Sequence, residues 1–224
     1  MKGWAAERWA AAAGFGFVVL NLTGAFAPGA SYPKVNDSPA KIAAFAHDHH
    51  QAFALAAVLT GLAAPLLIWL FASIVSVMRN AGQGPLAVVV FGVAVAGTAL
   101  ATASDAVWQV LGRVDNDGFI KAAFQTQGFL VTKAFWCAGV GAVVIGLAAW
   151  RGAFPRWYAW LTFAAAVLFG LGGLTVRQSG FLQSGGGLTF VAFLGLLVWV
   201  LVSSFVLWTT PASEHPASPA TSPV

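Results

Sequence analysis

Apolar residues fall into six long runs along the chain, separated by short segments rich in glycine, proline or charged residues. A helix needs about 20 apolar residues to cross a bilayer, and each run reaches or approaches that length. The pattern therefore predicts an all-α bundle of six transmembrane helices, with spans at about residues 9–27, 52–78, 86–111, 119–150, 156–176 and 188–208.

The segment between the first two spans carries its own helix-start signal. Ser38 is followed by Pro39, an arrangement typical of an N-cap with proline at the first helical position. It predicts a short interfacial helix that reaches His50 and continues into the second span. Pro65 predicts a kink in the middle of that span, because proline removes one backbone hydrogen bond. Residues 209–224, rich in Pro, Ser, Thr and Ala, predict a disordered tail.

Composition supports a membrane protein and excludes two other classes. The chain is 59% hydrophobic and only 8% charged, with a mean hydropathy of +0.81. Soluble domains carry about 25% charged residues, so neither a soluble globular protein nor a disordered one fits. The net charge is +4, but the basic residues are scattered, whereas a nucleic-acid binder clusters them. The single cysteine, Cys137, permits no internal disulfide.

Basic residues near the span ends bear on orientation. A cytoplasmic N-terminus would leave five Lys or Arg on each side, so the usual excess of positive charge inside does not decide. Arg79, Arg151 and Arg156 nevertheless occupy two very short turns that contain no acidic residue. We therefore expect a cytoplasmic N-terminus.

Two segments carry a family resemblance. The stretch Gly146–Leu161, with its Trp-Arg-Gly-Ala-Phe-Pro-Arg-Trp sequence, and the stretch Ser38–His50 resemble segments of the DUF4386-like group of actinobacterial multi-spanning proteins. The resemblance extends from about Arg8 to Trp208. It implies six helices and a bacterial plasma membrane, and it implies no activity or catalytic residue.

Polar residues inside the third and fourth spans are the first candidates for a functional site, since placing them in hydrocarbon is costly. Helical spacing puts those of the third span on one face, which we expect to point into the bundle, and it also puts those of the fourth span on one face. From their heights we expect an ion pair between Asp105 and Lys133, with Arg177 and Gln127 at the rim of an outward-facing polar cavity. The pair could instead have the structural role of holding the two helices together, or each side chain could extend to the lipid headgroups without forming a pair. The residues concerned are Thr98, Thr102, Asp105 and Gln109 in the third span and Thr126, Lys133 and Cys137 in the fourth.

A histidine cluster before the second span is the other candidate. His47 and His50 are three residues apart, a spacing compatible with two metal ligands, although no third ligand is evident and a solvated helix end explains them as well. No haem ligation is expected, because His215 lies in the tail. Motifs of hydrolases, nucleotide-binding loops and zinc peptidases are absent, and no cofactor is predicted.

Three functions are compatible with this sequence. The first is a non-enzymatic membrane protein that binds a lipid, a small apolar ligand or a partner subunit, the partner being another membrane protein or a second copy. The second is a small transporter or channel with a path near Asp105 and Lys133. The third is a metal-dependent membrane enzyme that uses His47 and His50.

Overall fold

In the computed structural model, the described residues are 2–29, 32–114, 116–175, 183 and 185–209; the side chains of 2–8 are not among them. Arg177 and the predicted tail beyond residue 209 lie outside these ranges. Within them the fold is all-helical, as predicted, and no strand is formed. The seven helices are α1 (Lys2–Phe26), α2 (Pro39–Asp48), α3 (His50–Asn80), α4 (Gly84–Leu111), α5 (Asp117–Trp150), α6 (Arg156–Gly173) and α7 (Gly187–Thr209).

Local sequence explains where several helices begin and end. The Ser38 hydroxyl accepts a hydrogen bond of 3.3 Å from the backbone N–H of Lys41, so Ser38 caps α2 as expected. Helix α2 does not run on into α3, because His49 leaves helical geometry with φ −109° and ψ 16°. The Asn116 side chain caps α5 by accepting from the N–H of Phe119 at 2.9 Å. Pro65 lies inside α3 without ending it.

Five of these helices are long and apolar enough to cross a membrane: α1 over Trp9–Phe26, α3, α4, α5 and α7. Helix α6 has 18 residues and begins with Arg156, which lowers its apolar character. Several apolar helices of this length are consistent with a membrane location.

Helices α1 and α3–α7 form a closed ring. Each helix packs mainly against two neighbours in the order α1, α3, α4, α5, α6 and α7, and α7 returns to α1; α3 also contacts α7 across the ring. The Arg151 guanidinium donates to the Gln83 side-chain oxygen at 3.5 Å, so the α3–α4 and α5–α6 turns lie at the same end of the ring. We call this the arginine end, and the opposite end, where α2 lies, the α2 end.

The two halves of the ring differ in length. Helices α3, α4 and α5 contain 31, 28 and 34 residues, so they extend about 42–51 Å at 1.5 Å per residue. Helices α6 and α7 contain 18 and 23 residues, or about 27–35 Å. The additional length of α3–α5 supports α2, which packs on all three.

Two separate hydrophobic cores result from this arrangement. The main core runs through the ring and takes residues from α1 and α3–α7. The second, which we call the cap core, joins α2 to α3, α4 and α5 and consists of Ile42, Ala46, Phe53, Trp108, Leu111, Ile120 and Phe124. The structure thus has a bundle and a small helical cap at the α2 end.

Candidate ligand-binding site

A groove of about 620 Å³ runs along the outside of the ring between α3 and α4. Its wall on α4 has mostly small side chains at helical spacing, which leaves room that larger residues would fill. The groove is lined by Ile68 of α3 and by Val95, Thr98, Ala99, Thr102, Ala103 and Ala106 of α4. Over this stretch of α4 the groove extends about 17 Å along the helix axis.

Two threonines, Thr98 and Thr102, are the polar residues of the groove lining. Thr102 is exposed, and its hydroxyl donates to the backbone carbonyl of Thr98 at 2.9 Å. The Thr98 Oγ1 atom is buried and has no hydrogen-bond partner. A buried hydroxyl without a partner costs free energy, and the burial of the Thr98 oxygen keeps it away from a molecule lying in the groove.

Asp105 lies one turn beyond Thr102, half-buried where α4 meets α3. The Thr60 hydroxyl of α3 lies beside the Asp105 carboxyl group, although it also donates to the carbonyl of Ala56 at 3.0 Å. Tyr32, in the α1–α2 connection, lies close enough to Asp105 for the two side chains to interact electrostatically. Asp105 therefore faces α3 and this connection.

The predicted ion pair between Asp105 and Lys133 is not formed. Lys133 is exposed on the outer face of α5 and has no partner among the described residues. Phe129 and Trp136, one turn to either side, are exposed on the same face. Within the described ranges the one ion pair is Lys41–Asp37, at 2.9 Å between Nζ and Oδ2. Helical spacing shows which residues of α5 share a face, but it does not show whether that face points into the bundle or outward.

The four polar residues of the third predicted span share one side of α4, but they do not all point inward. Thr102 is exposed in the groove, whereas Thr98, Asp105 and Gln109 are half-buried, and Asp105 lies beside Thr60 of α3. The Gln109 Nε2 atom is buried without a hydrogen-bond partner. The expectation that this face points into the bundle is therefore wrong for Thr102.

The two histidines predicted as metal ligands lie near each other where α2 ends and α3 begins. The rings of His47 and His50 are 6.1 Å apart between centroids, and both residues are exposed. The Nδ1 atom of His50 is within 2.9 Å of the backbone carbonyl of His47, which leaves Nε2 for any ligand. No group of three His, Cys, Asp or Glu suited to a metal occurs in the described part of the chain. A metal site there remains a prediction.

An aromatic cluster in the cap was not predicted from the sequence. The Trp108 ring stacks on Phe53 at 4.5 Å and 6°. Tyr32 and Phe45 pack against the same indole at 5.8 and 6.1 Å, and Phe124 at 5.3 Å. These residues come from a connection and four different helices, so no local pattern joins them. Trp108 itself gave no signal, since it lies three residues before the end of the predicted third span, where tryptophans are common.

A cavity of about 210 Å³ adjoins this cluster on the side of the α1–α2 connection. It is lined by Tyr32, Pro33, Lys34, Asp37, Lys41 and Phe45. Burial, and secondarily the charge of Asp105, raises the pKa of Tyr32 to about 12. The Lys34 backbone N–H, and then Lys41, hold the pKa of Asp37 below its usual value.

No family model, curated protein or solved structure matches this chain. The resemblance to the DUF4386-like group consequently stays a prediction, and the function has to be argued from the residues themselves.

Proposed function

We propose that this chain is a multi-pass protein of the bacterial plasma membrane whose α3–α4 groove binds the apolar chain of a lipid or of a similar amphiphile. In this proposal α1 and α3–α7 cross the bilayer, and α2 lies at the interface. The 18-residue α6 extends about 27 Å, close to the thickness of about 30 Å of the hydrocarbon core, and it packs between α5 and α7.

The proposed orientation has the arginine end in the cytoplasm. Arg79, Arg151 and Arg156 all belong to the turns at this end, which contain no acidic residue. The α2 end, with its cap, then faces outward. This assignment follows the preference of basic residues for cytoplasmic turns.

The observation that carries the proposed function is the open groove on the least covered helix. Only 17% of the most apolar window of α4 is buried within the protein, against 44% for α5 and α7. The exposed side of α4 forms one wall of a shallow, open groove and is lined there mostly by alanines and threonines. A membrane chain lying along it would therefore fit against small side chains.

Burial of apolar surface does not drive such binding, because a lipid tail is as apolar as the groove. Affinity has to come from close packing in the groove and from hydrogen bonds at low dielectric. The exposed Thr102 hydroxyl supplies the polar contact: its hydrogen is donated to the Thr98 carbonyl, so its oxygen can accept from a donor group of the ligand. A ligand with a hydroxyl or amide N–H next to its chain can pack along the groove and donate a hydrogen bond to Thr102.

The alternatives have less support from the residues. A transport path near Asp105 and Lys133 would need both groups to face one passage, whereas Asp105 faces α3 and Lys133 is exposed on α5. A metal enzyme based on His47 and His50 would need a third ligand.

Ala103→Trp tests the proposal by filling the groove with a large side chain. The control is Ala164→Trp, which places the same residue at an exposed alanine of α6 outside the groove. The measurement is the amount of lipid that remains bound through gentle detergent purification, determined by mass spectrometry. We expect Ala103→Trp to lose a lipid that the wild type and Ala164→Trp retain. Equal retention in all three proteins would contradict the proposal.

A further inference from the structure

The cavity beside the α1–α2 connection has a polar and an apolar side. Lys34, Asp37 and Lys41 form the polar side, and the rings of Tyr32 and Phe45, 5.6 Å apart, form the apolar side. The aromatic side is fixed in place, since both rings also pack on Trp108 of α4. The cavity therefore has one rigid wall.

The charges of the polar side leave one ammonium group free. Asp37 is the one carboxylate in the lining, and its Oδ2 accepts from the backbone N–H of Lys34 at 2.8 Å and pairs with Lys41 Nζ at 2.9 Å. The Lys34 ammonium has no partner among the residues that the structure describes. Two lysines against one engaged carboxylate make this wall an anion-attracting surface.

The position of the cavity relative to the bilayer indicates which anions are available to it. The Tyr32 hydroxyl donates to the backbone carbonyl of Ala25 at 3.2 Å, in the last turn of α1. In the proposed membrane arrangement, the end of α1 lies at the level of the lipid headgroups. Phosphate groups are the anions that are concentrated at this level.

We propose that this cavity binds a phosphate group, with the ammonium groups of Lys34 and Lys41 contacting its oxygens and the rings of Tyr32 and Phe45 covering the apolar part of the ligand. Lys41 is held by Asp37 at the edge of the cavity, and Lys34 supplies the uncompensated charge. The phosphate belongs either to an anionic phospholipid or to a free phosphate compound. This site is separate from the α3–α4 groove and does not depend on it.

The test uses the full chain in nanodiscs, where both faces are accessible. Thermal unfolding is followed with a thiol-reactive dye, because Cys137 is the sole cysteine of the chain and lies half-buried in α5. One arm compares phosphatidylcholine discs with discs that also contain phosphatidylglycerol. The other arm adds inorganic phosphate to phosphatidylcholine discs.

The variants are Lys34→Gln, the double variant with Lys41→Gln, and the control Lys121→Gln, which removes an exposed lysine of α5 outside the cavity. We expect the anion to raise the melting temperature of the wild type and of Lys121→Gln. Removing each cavity lysine should weaken the apparent affinity about fivefold, which corresponds to about 1 kcal/mol per lysine. Lys34→Gln leaves the Lys41–Asp37 pair intact, so its effect is not caused by breaking that pair.

The two arms distinguish the source of the phosphate. A shift in the phosphatidylglycerol arm that the double variant loses supports a lipid headgroup, and one in the inorganic phosphate arm supports a free phosphate compound. The proposal is overturned if neither anion shifts the wild type, or if the double variant retains the shift. The cavity and the α3–α4 groove have no lining residue in common. The lysine variants and Ala103→Trp therefore test different sites, and either proposal can fail while the other holds.

Discussion

The cap depends on Trp108, and its replacement by alanine tests whether the cap core is a unit of its own. Trp108 is only 8% exposed, and its ring contacts Phe53, Phe124, Tyr32 and Phe45. A buried Trp→Ala change costs about 3–5 kcal/mol through lost contacts and the remaining cavity. Because Phe45 of α2 and Tyr32 of the α1–α2 connection both pack on Trp108, much of this loss should fall on the docking of α2.

Hydrogen–deuterium exchange measures that docking directly. A loss of about 3 kcal/mol raises the population of the open form about 150-fold, so α2 amides that exchange by local opening should exchange roughly that much faster. Amides of α6 and α7 belong to the main core and should keep their wild-type rates. The control is Trp160→Ala, which removes a 64% exposed tryptophan of α6 at the arginine end. The reasoning is refuted if α2 exchanges at its wild-type rate, or if α6 and α7 accelerate as much as α2.

Three further predictions concern packing and protonation. Gly172→Ala should destabilise the bundle by about 1–3 kcal/mol in a denaturation experiment, because its new Cβ would meet the Cβ of Ala192 at 2.7 Å, whereas Gly61→Ala has open space and should stabilise by up to about 1 kcal/mol. Destabilisation by both changes would contradict this packing. The pKa of Asp37 is lowered in the folded state, so its ionised carboxylate stabilises the fold above the unfolded pKa of about 3.9, and this stabilisation is lost as the pH falls through the lower folded pKa. Asp37→Asn lacks this contribution. Its melting temperature, followed by tryptophan fluorescence, should therefore fall less at acid pH than that of the wild type. For Tyr32, with its pKa raised to about 12, stability should decline between about pH 10 and 12, and Tyr32→Phe should remove part of that decline in the same assay.

Hydropathy and end signals were sufficient to predict the helices. Runs of apolar residues mark α1 and α3–α7, and Ser38 with Pro39 marks the start of α2. These features are local, since a helix closes its hydrogen bonds within a few residues and its cap uses the next turn. The break at His49 was not predicted, because no Gly or Pro marks it.

The candidate site was harder to predict because it depends on how each helix is rotated in the ring. Spacing placed Thr98, Thr102, Asp105 and Gln109 on one side of α4, but only the packing of α3 decides which of them are covered. The rotation of α5 likewise turns Lys133 outward. Helical periodicity gives relative directions within one helix and leaves its rotation against the neighbours open.

The aromatic cluster of the cap illustrates the same limit across the chain. Tyr32, Phe45, Phe53 and Trp108 are separated by many residues and meet only because α2 folds back over α3 and α4. Contacts of this kind follow from the tertiary arrangement. The cavity with Lys34 and Lys41 depends on the same arrangement and was missed for the same reason.

The central claim is that the α3–α4 groove holds a lipid chain, and photo-crosslinking tests it most directly. A phospholipid with a photoreactive group in its acyl chain is incorporated into nanodiscs with the wild-type protein, and the labelled peptides are mapped by mass spectrometry. We predict that labelling concentrates on Ile68 and on the α4 stretch 95–106, and that Ala103→Trp reduces it. Equal labelling of the exposed apolar residues of α6 and α7, such as Val167 and Val198, would contradict the claim.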